Sequence, residues 1–161
     1  MGRYATSTDV APDRSRSEIE RTLQRYGARQ FAYGWDENRA MLAFVANGRQ
    51  VRFVLPLPDR DAPEFTKTPT GRDRSASAAN EAYEQAVRQR WRALALVIKA
   101  KLEAVDTGIV DFTSEFLAHL VLPGGGGETV GEAVVPRIDE AYRTGEPPDL
   151  LPAFAPRALP Q

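Results

Sequence analysis

The clearest periodic pattern in the chain lies in residues 83–105, YEQAVRQRWRALALVIKAKLEAV. Its apolar positions are three or four residues apart and therefore share one face of a helix. They are Tyr83, Val87, Trp91, Leu94, Ile98, Leu102 and Val105. Leu96 and Val97 add apolar surface on other sides of the same turns. The pattern predicts a long core helix whose middle is covered nearly all round, either by the rest of the chain or by a partner.

A shorter helix and three strands are predicted upstream. Residues 15–26 predict the helix, because apolar side chains line one face and a glycine follows. The face consists of Ile19, Leu23 and Tyr26, and the glycine is Gly27. Segments rich in aromatic and β-branched residues predict strands at 29–35, 40–46 and 50–57. Asn47 and Gly48 tolerate positive φ and predict a tight hairpin, so the strands form an antiparallel meander.

The segments around the long helix are predicted from their turn residues. Residues 59–74 predict a polar loop punctuated by Pro63, Pro69 and Gly71. A serine, Ser75 or Ser77, caps the long helix, which runs to about residue 106 before a glycine at 108.

Three elements are predicted after the long helix. They are a short helix at 113–120, a turn or hairpin-like stretch at 121–130, and a helix at 129–142 that Pro136 kinks or splits. The chain then continues into a segment with five prolines.

The predicted class is α+β, with a three-stranded antiparallel meander packed against a long helix. The element order is α-β-β-β-α followed by short helices. Residues 1–13 are predicted to be a flexible N-terminal arm, residues 14–144 a single domain, and residues 145–161 a proline-rich tail. Phe31, Tyr33 and Trp35 alternate on one face of the first strand. We expect them to pack against the long helix, with Trp91 as their partner; the alternative is an exposed surface that stacks single-stranded bases.

Composition excludes several kinds of site. The 161 residues include no cysteine, so disulfides, thiolate metal sites and cysteine nucleophiles are excluded. His119 is the only histidine, which excludes a multi-histidine metal site, and we expect it inside or at the edge of the core. No catalytic residue, metal ligand or cofactor is predicted, and a non-enzymatic role is favoured. With no apolar run of membrane-spanning length, we expect a cytoplasmic protein in a bacterial cell, without a membrane partner.

Charge is unevenly distributed along the chain. Residues 1–107 carry 18 basic and 14 acidic side chains, whereas residues 108–161 carry 3 and 8. The acidic C-terminal third is therefore able to bind a basic partner, or to fold back on the basic portion and mask it.

Four segments resemble a family of uncharacterised proteins found in bacteriophages and prophages. They are SRSEIERTLQRYGA at 15–28, VRFVLPLPD at 51–59, YEQAVRQRWRALALVIKAKLEAV at 83–105 and EFLAHLVLPGGGGETVGE at 115–132. The resemblance covers most of the chain. It implies a phage or mobile-element context and brings no catalytic residue with it.

The first functional hypothesis is a non-catalytic nucleic-acid-binding accessory protein of phage or mobile-element DNA metabolism. DNA or RNA phosphates would be held by basic residues of the 59–74 loop and of one flank of the long helix. These residues are Arg60, Lys67, Arg72, Arg74, Arg88, Arg92 and Lys99. The competing interpretation is that Glu84 pairs with Arg88, and Glu103 with Lys99, as ordinary intrahelical ion pairs.

The alternative hypothesis is a protein-interaction module, either a homo-oligomer or an inhibitor of a host protein. Its contact would be the apolar centre of the long helix at Leu96 and Val97. Exposure of these two side chains would favour this alternative. Their burial beside a continuous positive surface would favour nucleic acid.

Overall fold

The structure is a computed structural model, and it describes residues 13–124, 126–148 and 150. Nearly all of the predicted N-terminal arm and most of the predicted proline-rich tail lie outside the described residues, although Asp13 already belongs to the first helix. The division into arm, domain and tail stays a prediction.

Three strands and five helices make up the described part of the chain, together with one 3₁₀ turn. In chain order they are α1 (Asp13–Arg25), β1 (Gln30–Trp35), β2 (Arg39–Ala46), β3 (Arg49–Pro56), α2 (Pro63–Thr66), α3 (Ala76–Asp106), α4 (Phe112–Glu115), the 3₁₀ turn (Leu117–His119) and α5 (Val130–Thr144). The predicted α+β class and element order are confirmed.

The sheet is an antiparallel meander in the order β1-β2-β3. Asn47 and Gly48 join β2 to β3 with φ values of 50° and 69°, the conformation that the sequence predicted for a tight hairpin. At the other edge of β3, Leu120 forms a bridge with Val51. The segment that follows α4 therefore covers part of the β3 edge.

The core lies between one face of the sheet and the apolar face of α3. Alternate residues of β2, including Leu42 and Phe44, are buried, as are Val51 and Phe53 of β3. Ile19 and Leu23 of α1, Phe116 and most of the apolar positions predicted on α3 complete this core. The period of 3.6 residues on α3 and of two on β2 and β3 thus agrees with which residues are buried.

The ends of α3 follow the capping signals in the sequence. Ser75 is the N-cap, because its hydroxyl oxygen accepts a hydrogen bond from the Ala78 amide at 3.2 Å. Gly108, with φ of 75°, follows the last turn at Asp106. Of the two serines predicted for the cap, the first is used.

The segment predicted as an open polar loop is more ordered than expected. Its centre forms the short helix α2, whose Phe65 is buried with its ring edge-on to Tyr83 at a centroid distance of 5.7 Å. Lys67 and Asp73 then form an isolated bridge. A single aromatic residue inside a polar segment anchors this segment to the start of α3.

Two C-terminal helices also differ from the prediction. The predicted helix at 113–120 is divided into α4 and the 3₁₀ turn. By contrast, α5 continues through Pro136 as one helix, so the proline does not split it. Pro136 leaves one helical carbonyl without its usual backbone donor, and the other hydrogen bonds carry the helix past it.

The prediction that the β1 aromatics pack in the core is wrong for two of the three residues. Tyr33 is 40% exposed and Trp35 is 56% exposed. They lie opposite Leu42 and Ala40 and so share the inner face of the sheet. However, β1 is an edge strand, so side chains on its inner face have a neighbouring strand on one side only. Alternation along a strand predicts the face of the sheet on which a side chain lies. It does not predict whether other parts of the fold cover that position.

Replacing Ile98 with alanine tests the core assignment. Ile98 is completely buried, so Ile98→Ala should lower the free energy of unfolding by about 2 to 5 kcal/mol. Leu96→Ala, on the opposite side of the same helix, should change it by less than about 0.5 kcal/mol. Urea denaturation followed by far-UV circular dichroism measures both, and equal losses would contradict the assignment.

Candidate interaction surfaces

The side of α3 turned away from the sheet carries an exposed apolar stripe. Leu96 is 59% exposed and Val97 is 45% exposed. Ala93 and Ala100, one turn to either side, are exposed as well. These four residues, which we call the α3 stripe, occupy about two turns of helix. Exposure of Leu96 and Val97 was the outcome that would favour the interaction module, and burial was the outcome that would favour nucleic acid. The structure shows exposure.

The basic ridge predicted along one flank of α3 borders this stripe. Arg92 and Lys99 are exposed, and neither forms a hydrogen bond or ion pair with the described residues. The predicted pair between Lys99 and Glu103 is absent within this part of the chain, because Glu103 accepts a 2.6 Å hydrogen bond from the Tyr26 hydroxyl instead. That bond is the main cause of the raised pKa of Tyr26. The flank therefore carries, beside the apolar stripe, two positive charges that no described residue pairs with.

Arg88, by contrast, belongs to a polar chain along the start of α3. Its guanidinium lies 4.0 Å from Glu84, as the sequence predicted. Glu84 accepts a 2.9 Å hydrogen bond from Asn80, and Asn80 in turn accepts one from Arg60 at 2.6 Å. The Arg60 guanidinium also lies over the Tyr83 ring, 4.3 Å from its centroid. Asn80 and Glu84 thus link two predicted phosphate contacts, Arg60 and Arg88, and the Glu84 carboxylate offsets the charge of Arg88.

The remaining basic residues of the 59–74 segment are mostly engaged within it. Lys67 pairs with Asp73 at 2.5 Å, and this hydrogen bond lowers the pKa of Asp73. The Arg74 guanidinium donates to the Lys67 carbonyl at 2.8 Å. Arg72 is exposed and has no side-chain partner among the described residues. Of the four predicted contacts in this segment, Arg72 is the one whose side chain forms no hydrogen bond or ion pair with the described residues.

The exposed aromatics of β1 form a second surface. The Tyr33 and Trp35 rings are stacked with 5.8 Å between centroids and 13° between planes. The Arg16 guanidinium of α1 lies 4.1 Å from the Tyr33 centroid. Two stacked rings and a cation, on a strand edge, make a surface suited to flat aromatic or apolar groups.

A third apolar surface lies on α5 and was not predicted from the sequence. None of the described residues of α5 is buried. Val135, Ile138 and Tyr142 are exposed, Tyr142 to 88%. Their spacing of three and four residues was the signal that could have revealed this stripe. We call these three residues the α5 stripe.

The first turn of α5 is firmly attached, which fixes the direction of the helix. Thr129 and Glu132 form a capping box. The Glu132 carboxylate also pairs with Arg52 at 2.5 Å, and these bonds, led by the one from the Thr129 amide, lower the pKa of Glu132. A Cβ at Gly131 would lie 2.7 Å from the Ala118 carbonyl oxygen. Only glycine allows this close approach between α5 and the 3₁₀ turn.

His119 lies at the edge of the core, as predicted. Its ring stacks on Phe53 with 4.0 Å between centroids. Burial lowers the pKa of His119, and the nearby charge of Lys101 lowers it further. A neutral ring packed against phenylalanine is a structural role.

The described residues contain no group of three or more histidine or acidic side chains able to hold a metal ion. A cleft of about 580 Å³ lies between the β2–β3 hairpin and the glycine-rich turn. Arg49 is the one charged side chain among its described lining residues. This lining offers no acid–base pair for catalysis. None of the described helices is long and apolar enough to cross a membrane.

Comparisons with models of known protein families, with curated proteins and with solved structures found no match. The resemblance to phage and prophage proteins therefore stays a prediction. Any function has to be argued from the surfaces described above.

The pKa of His119 can be measured directly, because the chain has one histidine. The folded protein should show a midpoint below the ordinary 6.5 in a proton NMR titration of the ring. Between that midpoint and pH 6.5 the unfolded chain binds more protons than the folded one. The contribution of His119 to the free energy of unfolding is thus fully present above pH 6.5 and is lost as the pH falls through the midpoint of the folded protein. A midpoint at or above 6.5 would contradict the described packing.

Proposed function

We propose that the chain is a protein-interaction module that docks through the α3 stripe. The observation that supports this is the exposure of Leu96 and Val97 in the middle of a helix whose opposite face forms the core. Scattered apolar side chains are common on protein surfaces. Here two large ones are adjacent and continue into Ala93 and Ala100. A contiguous apolar surface of this kind is typical of an interaction site.

The shape and charge of the α3 stripe limit the kind of partner. The alanines at its ends allow another helix to approach closely, while the two larger side chains fill the centre of the contact. Arg92 and Lys99 border the stripe without ionic partners among the described residues. A partner helix with an apolar face and an acidic rim fits this surface, because complementary charges set the orientation and the rate of association.

A photo-cross-linking residue in place of Leu96 tests the proposal. p-Benzoylphenylalanine at position 96 should form adducts with a protein partner in the native host cell or with a second copy of the chain. The same residue in place of Gln85, which is exposed and polar on the same helix, is the matched control. Adducts at position 96 well above those at position 85 are expected. Equal yields at the two positions would count against docking through the stripe.

Nucleic-acid binding is the second candidate, and the stacked Tyr33 and Trp35 rings are the observation that favours it. Aromatic rings exposed on a sheet stack the bases of single strands. Arg16 lies over this pair, and Arg72, Arg92 and Lys99 supply charge elsewhere on the described surface. The ion pairs at Lys67 and Arg88 weaken the phosphate-binding surface that the sequence predicted. For that reason we place this function second.

Fluorescence anisotropy with labelled single-stranded DNA and RNA tests the second candidate. Affinity should fall steeply between about 50 and 200 mM salt if phosphate contacts contribute. Trp35→Ala should lower affinity by about 1 to 3 kcal/mol, the usual contribution of one stacked base. Tyr142→Ala removes an even more exposed aromatic ring, on α5, and should leave affinity unchanged. An affinity that changes neither with the salt concentration nor with Trp35→Ala would exclude nucleic-acid binding through phosphate contacts and base stacking.

A further inference from the structure

The chain carries two apolar helix surfaces that nothing in the described residues covers. The α3 stripe lies on the outer side of the long helix, and the α5 stripe lies on the C-terminal half of α5. Each extends over eight residues, from Ala93 to Ala100 and from Val135 to Tyr142, or about 10 Å of helix axis. The two surfaces therefore match in length.

Their charges are also complementary. Arg92 and Lys99 border the α3 stripe, and both are unpaired among the described residues. On α5, Asp139 lies one residue after Ile138, on the border of the α5 stripe, and it too has no described partner. The α5 segment 130–146 contains four acidic and two basic side chains. Glu132 and Glu140 already form ion pairs with arginines, so Asp139 is the acidic group at this border that can meet Arg92 or Lys99 of another copy.

The α5 stripe does not cover the α3 stripe within one copy. Leu96 and Tyr142 both remain exposed in the same chain. The first turn of α5 is held by the Arg52 to Glu132 ion pair and by the close contact of Gly131 with Ala118. None of the described residues of α5 is buried, so another molecule can reach the rest of the helix.

We infer that the α5 stripe of one copy docks on the α3 stripe of a second copy. This inference rests on the proposed function, since it names the partner of the same α3 surface. One contact between two-turn stripes is small compared with the roughly 800 Å² that each partner buries in a standard interface. A two-fold dimer forms the contact twice, because each copy offers both stripes. The dimer therefore contains two equivalent helix–helix contacts.

Mixing two variants of the full chain tests this arrangement. Leu96→Glu places a negative charge in the α3 stripe, and Ile138→Lys places a positive charge in the α5 stripe. Each variant alone has both contacts damaged in its dimer, so its dissociation constant should rise at least about tenfold. An equimolar mixture can form a mixed dimer in which one contact is intact. Mixing should therefore restore part of the dimer, measured by sedimentation velocity against the 17.8 kDa monomer.

Substitutions at Gln85 control for charge alone, because Gln85 is exposed on α3 about 12 Å along the axis from the stripe. Gln85→Glu and Gln85→Lys should leave the dimer unchanged. Circular dichroism of each variant checks that the fold is retained. Pairing of α3 with α3, or of α5 with α5, predicts that one of the two variants alone dimerises as the parent chain does. That result, or no recovery on mixing, would overturn the inference.

The failure of this inference can be told apart from failure of the proposed function. If the purified chain stays monomeric up to about 100 µM, a range that includes weak interfaces, the inference is wrong. Adducts of a different protein at position 96 would then still support the interaction module. Absence of adducts at position 96 together with a monomeric chain would contradict both the inferred dimer and the proposed interaction module.

Discussion

The packing of one apolar face of α3 on the inner face of the sheet is the contact on which the rest of the structure depends. This face includes Trp91 and Ile98 and closes the core with Phe44 and Val51. The helix has 31 residues and the longest strands have eight, so α3 is about 46 Å long against about 27 Å of strand. A three-stranded sheet cannot enclose such a helix. One side of α3 is thus committed to the core and the other remains open.

The two periodicities account for how much of the fold the sequence could predict. Spacing of three and four residues located α3 and α1, alternation located the strands, and Ser75 and Gly108 marked the ends of α3. These signals are local, because each depends on residues that are close together in the sequence. They can therefore be recognised without knowledge of the tertiary contacts. The exposure of Trp35 was not predictable in this way, because it depends on the position of the edge strand relative to the rest of the fold. Long-range contacts decide such questions, and no pattern within β1 records them.

The candidate surfaces were predicted less completely than the fold. Leu96 and Val97 were identified from their position outside the apolar face of α3, and their exposure agrees with that reasoning. The basic residues were identified from their positions in the loop and along the helix, which cannot show that Lys67 is bound by Asp73 or that Glu103 is bound by Tyr26. Ion pairs depend on which side chains meet in three dimensions. Charge along a sequence is therefore a weak guide to charge on a surface.

The two tryptophans give the protein two separate optical reporters. Trp91 is 3% exposed in the core, whereas Trp35 is 56% exposed at the sheet edge. A soluble quencher such as acrylamide reaches Trp35 first, so the quenchable part of the emission describes the β1 edge and the protected part describes the core. A single unlabelled sample thus distinguishes an event at the surface from loosening of the interior.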